Sequence, residues 1–169
     1  FKKKDDGMGD ISADHVMQGT KKDSVLAWGK VKVQHKNQTL WADKVLINNK
    51  TGIGKAQGHV IIEGEDGSKT KAKKMLFDLK SKKGKLLESK IILQKKTHQV
   101  RLTAKEIKNL SPNHLTLDDA TLTTCKGILP AWKIEAKSID IKQGDRALFR
   151  KAVLKIKDFP ILYLPIGYL

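Results

Sequence analysis

The feature that most limits how this chain can fold is a repeat of roughly 30 residues built from short strands. Ala13-Asp14-His15-Val16 recurs as Ala42-Asp43-Lys44-Val45 and Ala72-Lys73-Lys74-Met75, then as Ala104-Lys105-Glu106-Ile107 and Ala136-Lys137-Ser138-Ile139. Between copies runs a second strand: Ala27-Trp28-Gly29-Lys30-Val31-Lys32-Val33 matches Ala56-Gln57-Gly58-His59-Val60-Ile61-Ile62. Looser versions follow around Ile91 to Leu93, Leu117 to Thr123 and Ala152 to Ile156. Turn clusters such as Asn48-Asn49-Lys50-Thr51-Gly52 and Ser81-Lys82-Lys83-Gly84 separate them. No stretch of a dozen residues carries a helical apolar stripe. Each unit is a strand pair that cannot bury its apolar face alone, so neighbours must stack into one continuous core. An all-β chain is predicted.

The first strand of each unit breaks strict alternation. Two residues before the alanine stand Ile11, Leu40, Thr70, Leu102 and Ile134; three after it stand Val16, Val45, Met75, Ile107 and Ile139. Five after it come Ile47, Phe77 and Ile141. A step of three crosses the pleat and would turn the later apolar residues outward. A bulge or sharp bend at the intervening polar pair restores a single inward face. Strongly curved antiparallel sheets around a shared apolar interior are therefore expected. Periodicity alone leaves closed barrel, sandwich and open groove as alternatives, and it does not place Trp41.

Charge enters next, because it suggests a rival function. The chain holds 34 Lys and Arg against 18 Asp and Glu, a net charge of +16. Such a surface attracts polyanions. Only Arg101, Arg146 and Arg150 are arginines, however, and aromatics are 5% of the chain. Sequence readers use the arginine fork, and single-strand binders use aromatic stacking platforms. Nucleic acid is not the expected partner, and lysines on a solvated outer face or protecting strand edges account for the charge equally well.

Catalytic and metal motifs are absent from the sequence. His15, His35, His59, His98 and His114 are scattered singly, with no HxH or HExxH pair. Adjacent Asp118 and Asp119 would point to opposite faces of a strand and cannot share a proton. The single cysteine excludes a self-contained disulfide scaffold. No apolar run is long enough for a membrane-spanning helix. We expect no enzymatic activity, no cofactor and no metal.

The carboxy-terminal third departs from the repeat at Thr123-Thr124-Cys125, at Pro130-Ala131-Trp132-Lys133-Ile134-Glu135-Ala136, and at Phe159-Pro160-Ile161-Leu162-Tyr163-Leu164-Pro165. The last stretch, with two prolines, fits neither a helix nor an inner strand. It must either pack back on the domain or lead into a larger apolar structure. With Phe1 at its start, the chain is expected to be a piece of something longer. Those three segments, together with the Ala-Asp-Lys-Val repeats, resemble the amino-terminal periplasmic, OstA-like domain of the outer-membrane lipopolysaccharide-assembly (LptD) family. The resemblance covers nearly the whole chain.

That resemblance implies a V-shaped, two-sheet β-jellyroll akin to LptA, with residues 1–124 as the repeat-built jellyroll. Residues 125–169 would be its last strands and the junction to an outer-membrane β-barrel. It implies a non-enzymatic lipopolysaccharide conduit at the periplasmic side of the Gram-negative outer membrane, fed by a periplasmic bridge protein of the same fold. A lipoprotein plugging the barrel would be a further partner. By the same match, Cys125 would form a disulfide with a cysteine elsewhere, although the family's usual second amino-terminal cysteine is missing here. Physics agrees with a sheltered route, since exposing an acyl chain of about a dozen carbons costs roughly 10 kcal/mol.

Candidate lipid-contacting residues are the inward set: Val31, Val33, Leu40, Val45, Ile47, Val60, Ile62, Met75, Phe77, Ile91, Leu93 and Ile107. The same residues would equally fill a closed core. The strand carrying Ile11, Ala13 and Val16 is the candidate edge for addition of a partner strand. Alternatives are a stand-alone bridge protein of this fold, or a basic β-domain that binds nucleic acid or an acidic glycan.

Overall fold

In the computed structural model, residues 2–3, 10–19, 23–35, 38–64, 67–94, 99–111, 113–127, 129–142 and 145–168 are described, with backbone alone for 2–3, 35 and 93–94. They form thirteen strands and no helix. The strands are β1 Lys2–Lys3, β2 Asp10–Ser12, β3 His15–Gln18, β4 Ser24–His35, β5 Gln38–Asn48, β6 Ile53–Glu63 and β7 Lys69–Asp78. They continue as β8 Lys83–Gln94, β9 Gln99–Ser111, β10 His114–Thr123, β11 Trp132–Lys142, β12 Arg146–Ile156 and β13 Phe159–Tyr168. From β4 to β13 each strand pairs antiparallel with the next in sequence, an uninterrupted meander. Side-chain hydrogen bonding shapes its turns. Asn48 Oδ1 accepts from the N–H groups of Lys50 (3.0 Å) and Thr51 (2.9 Å), and Asp78 Oδ1 accepts from Lys80 (2.8 Å).

Each long strand bends at its middle, which is how one meander makes two walls. Around the bend the buried residues are three or four positions apart: Ala27 and Val31, Ala42 and Val45, Ala56 and Val60, Ala104 and Ile107, Leu117 and Ala120, Ala136 and Ile139, Phe149 and Ala152. The expected inward face is thus present. The distortion, however, is concentrated on the return strands, opposite the polar pairs. Left-handed backbone occurs at Gly29-Lys30 in β4, Gly58-His59 in β6, Glu88 in β8, Asp119 in β10 and Lys151 in β12. In β4 and β6 this is a true bulge with a register shift against β5 and β7. There the glycine is required. A Cβ on Gly29 would strike the Asp14 side chain, and one on Gly58 would strike Asp43.

The outer crest of the bend carries charge. His59 Nδ1 lies 2.8 Å from Asp43, Lys73 Nζ 2.7 Å from Glu88, and Lys137 Nζ 2.7 Å from Asp119. Inside it, the repeat alanines form a ladder, with Ala72, Ser89, Ala104, Ala120, Ala136 and Ala152 facing one another in successive strands. Small side chains suit the crease, where the two walls converge and leave least room. Two buried clusters result, one from β2 to β7 and one from β9 to β12, and Leu86 of β8 packs against both. Trp41, unplaced by periodicity, is half-buried and stands between Lys32 and Ile61 on the face opposite Leu40.

The expected single edge strand over Ile11 to Val16 is instead two strands. The chain breaks at Ala13 and Asp14, where the Asp14 N–H donates to the Gly29 carbonyl (2.9 Å). Ile11 lies in β2, whose outer edge is taken by β1 (Lys3 opposite Ile11). Val16 lies in β3, which among the described residues pairs only with β4. Beyond residue 124 the sheet continues without a break, as β11 pairs with β10 and Ala136, Ile139, Phe149 and Ala152 join the second cluster. The proline-containing tail is β13, an edge strand on β12, consistent with its two prolines.

Candidate functional site: an apolar trough

The inner face of the folded sheet is built from four cross-strand rows. One wall carries Ile11, Val33, Leu40, Ile62, Thr70, Ile91, Leu102, Leu122, Ile134, Leu154 and Leu162 in register. The crease holds the alanine ladder. A second row beside it runs from Val16 and Ala27 through Val45, Ala56, Met75, Leu86, Ile107, Leu117 and Ile139 to Phe149. The far wall holds Val25, Ile47, Gly54, Phe77, Gly84, Asn109, Leu115, Ile141 and Ala147. None of these rows contains a charged residue, in a chain of net charge +16.

Burial divides the sequence-derived candidates into two groups. Val31, Val45, Val60, Ile47 and Ile107 are sealed, at 0–3% exposure. Val31 and Val60 pack the crease, Val45 and Ile107 the row beside it, and Ile47 the far wall. Val33, Leu40, Ile62, Met75, Phe77 and Ile91 are half-buried, so their apolar surface remains reachable on the walls. The side chain of Leu93 falls outside the described residues. The lining is less sealed where the two clusters meet: among the described residues of β7 and β8 only Ala72 and Ser89 are buried, while Thr70, Met75, Phe77, Leu86 and Ile91 are all half-buried.

The lipid-contacting candidates read from the sequence left out the second half of both walls, although Ile134 and Ile141 were already placed on the inward face. Leu86, Leu115, Leu122, Ile134, Ile141 and Leu154 stand in the same rows and are half-buried. The repeat itself carried the signal for Ile134 and Ile141, which hold the same offsets from Ala136 as Leu40 and Ile47 hold from Ala42.

The remaining candidates lie on the outside. Cys125 sits in the segment after β10, its N–H donating to Thr123 Oγ1 (3.1 Å), and its thiol is unbridged within this chain. Hydrogen bonding from the Trp132 backbone holds that thiol below its usual pKa, while the Thr123 hydroxyl donates to the Trp132 carbonyl (2.6 Å). Arg101 anchors the same segment through the carbonyls of Lys126 and Gly127 (2.9 Å to the latter). His15 stacks on Trp28 with ring centroids 5.3 Å apart, beside a shallow outer depression lined by Met17, Leu26 and Trp28. Acidic residues are held ionised by lysines. The pKa of Glu106 is lowered by Lys108 and then Lys85, and that of Glu135 by Lys155 and then Lys133.

The outermost strand contrasts with the rest. In β13 Phe159 is 73% exposed and Tyr168 79%, and Ile161, Leu162, Tyr163, Leu164 and Ile166 are exposed as well. Its backbone is paired, yet its side chains lie uncovered on both faces.

The described residues thus form an open, charge-free trough under a lysine-rich exterior. The chain is 33% identical over 157 residues to the LPS-assembly protein LptD of Acinetobacter baumannii, covering 92% of this chain and 19% of that protein. It is 32% identical over 145 residues to LptD of Idiomarina loihiensis, covering 81% of this chain and 18% of that protein. The chain thus spans about a fifth of the length of the curated relatives it matches. Among solved structures, LptH, the LptA-homologous periplasmic component of the lipopolysaccharide transport device of Pseudomonas aeruginosa, is similar at a TM-score of 0.32 and 12% identity, over 94% of this chain and 92% of that one. Residues 10–147 match the profile of the LptA/(LptD N-terminal domain) LPS transport proteins, and the chain belongs to that family.

Proposed function

We propose that this chain is a periplasmic lipopolysaccharide conduit associated with the outer membrane, which shields acyl chains in the trough while the charged saccharide stays in water. The observation that carries this reading is the apolar trough itself, four rows without a charge and with half-exposed walls. A dozen methylenes sheltered there offset roughly 10 kcal/mol of exposure to water. The residues proposed to touch lipid are Val33, Leu40, Ile62, Met75, Phe77 and Ile91, with Leu86, Leu115 and Ile134 added. Val31 and Val60 hold the crease beneath them, with Val45 and Ile107 beside it and Ile47 sealed in the far wall. Met75 suits a lining that must adapt to chains of different length.

Entry would come from a periplasmic bridge protein of similar fold, adding a strand to the edge of β3 that has no strand partner among the described residues. Exit would follow the exposed apolar side chains of β13 toward an outer-membrane barrel. The matched LptD relatives speak against a stand-alone bridge, and the uncharged interior speaks against nucleic acid. The conduit reading needs no catalytic group.

Photocrosslinking in cells tests this. Probes at Ile62, Phe77 and Ile91 in the full-length protein should capture lipopolysaccharide, whereas probes at the outward Lys71 and Lys90 should not. Equal capture from both faces, or none from the inner positions, would refute the conduit.

A further inference from the structure

The far wall of the trough ends in two neighbouring turns that are fastened to each other. One joins β5 to β6 and the other joins β7 to β8. The Leu79 N–H donates to the Gly52 carbonyl (2.9 Å), and Lys80 Nζ donates to the Lys50 carbonyl (2.8 Å). The Lys80 stem crosses Gly52 so closely that a Cβ there would meet its Cγ at 3.0 Å. The two turns thus make one rim, and the Lys80 ammonium is held in place with two further N–H donors to offer. The far-wall row runs directly below this rim, through the pairs Ile47 with Gly54 and Phe77 with Gly84.

The second observation is the charge on the rim. Lys50, Lys80, Lys82 and Lys83 are all exposed, and among the described residues none of them joins an ion pair. Lysines on the sheet faces behave differently: Lys73, Lys85 and Lys137 each lie 2.7 Å from a carboxylate. The two turns hold one acidic residue, Asp78, and its own turn occupies it. Its Oδ1 accepts from the N–H groups of Lys80 (2.8 Å) and Ser81 (3.3 Å), and its Oδ2 accepts from the Ser81 hydroxyl (2.7 Å). Four cations therefore stand on a fixed rim, uncompensated, beside an apolar wall.

We propose that this rim is a headgroup site, where Lys50, Lys80, Lys82 and Lys83 hold phosphate groups of a lipid whose acyl chain lies against Phe77. The proposal rests on the lipid-conduit reading above and gives the amphiphile an orientation in the trough. Phosphate fits better than carboxylate because a phosphomonoester carries about two negative charges at neutral pH. Lysine binds it as a point charge, without the fixed fork geometry of arginine. Such contacts in water are weak singly, so they can orient a lipid and still release it.

Displacement of a fluorescent fatty acid from the full chain tests this with two competitors that share their acyl chains: diphosphoryl lipid A and the same lipid with its phosphates removed. The phosphorylated form should bind about 5- to 30-fold more tightly at low salt, and the ratio should shrink as salt is raised. Combining Lys80→Gln, Lys82→Gln and Lys83→Gln should bring the ratio close to one while the dephosphorylated lipid binds as before, which also shows that the variant is folded. Lys32→Gln, Lys71→Gln and Lys90→Gln together remove the same charge from one outward row of the other wall, and should leave the ratio at the parent value. Equal affinity for the two lipids in the parent overturns the proposal. So does an equal fall in both triple variants, because net charge alone would then suffice. Inorganic phosphate at the concentration of the lipid should leave the ratio unchanged; loss of the ratio would make the rim a site for free phosphate and overturn the headgroup assignment. If both lipids displace the probe equally, only the rim assignment fails; if neither displaces it, the conduit reading fails with it.

Discussion

Replacing Gly58 by alanine probes the bulge that turns β6 back onto the inner face. Two costs arise, and they can be separated. Gly58 has φ +73°, and an alanine in that region costs about 1–2 kcal/mol. Its Cβ would also overlap the Asp43 carboxylate, which must swing away from His59. Losing that pair adds little, because both side chains are largely in water, but the displacement strains the crest, and we assign it about 1 kcal/mol. The sum, about 2–3 kcal/mol, corresponds to a Tm drop of about 5–10 °C for a domain of this size. Gly67 is the control, with φ +75° and nothing within 4 Å of an added Cβ. Gly67→Ala should show the conformational cost alone. Urea unfolding followed by tryptophan fluorescence should therefore rank Gly58→Ala as more damaging than Gly67→Ala. In an Asp43→Ala background the Gly58 penalty should fall towards the Gly67 value without reaching it, because the Cβ at position 43 would still lie 2.9 Å away. A Gly58→Ala cost equal to that of Gly67→Ala, or one unchanged when Asp43 is removed, would refute this account of the crease.

Further outcomes follow from burial and charge. Ile139→Ala, at a site 1% exposed, should cost about 2–5 kcal/mol in urea unfolding, whereas half-buried Met75→Ala should cost less than Ile139→Ala and instead lower lipid capture from a probe at Phe77. Because Glu135 has its folded pKa pulled below 4.5 by Lys155 and then Lys133, its contribution is complete above that value and is lost as pH falls through the depressed one. Glu135→Gln should accordingly flatten the acid limb of the stability–pH curve and leave neutral pH less stable than the parent. Alkylation of Cys125 should show a midpoint below the ordinary thiol value of 9.0; a midpoint at or above it would show that hydrogen bonding from the Trp132 backbone does not stabilise the thiolate.

Much of the fold was legible because the repeat constrains geometry so tightly. Ala42 and Val45 lie three residues apart with Asp43 and Lys44 between, and both can face inward only if the strand bends. That the distortion concentrates on the return strands was less visible. Gly29 and Gly58 hinted at it, but Glu88, Asp119 and Lys151 take the same left-handed backbone without being glycine. The break at Ala13 was hidden for a different reason: β1 covers β2 through pairing that depends on where the chain crosses, not on local pattern.

Taken alone, the amino-acid sequence determined that this chain is all-β, that its alanines and flanking aliphatic residues share one face, and that its charge lies elsewhere. Those properties follow from side-chain spacing along single strands. Tertiary structure decided which inward residues are sealed and which are reachable. Val60 and Ile62 look alike in sequence, yet one lies at the crease under both walls and the other part-way up a wall. It also decided which residues of different strands stand side by side, as Leu86 and Ile107 do. Exposure and cross-strand neighbours depend on how two bent halves of a sheet converge, and no spacing within one strand encodes that distance.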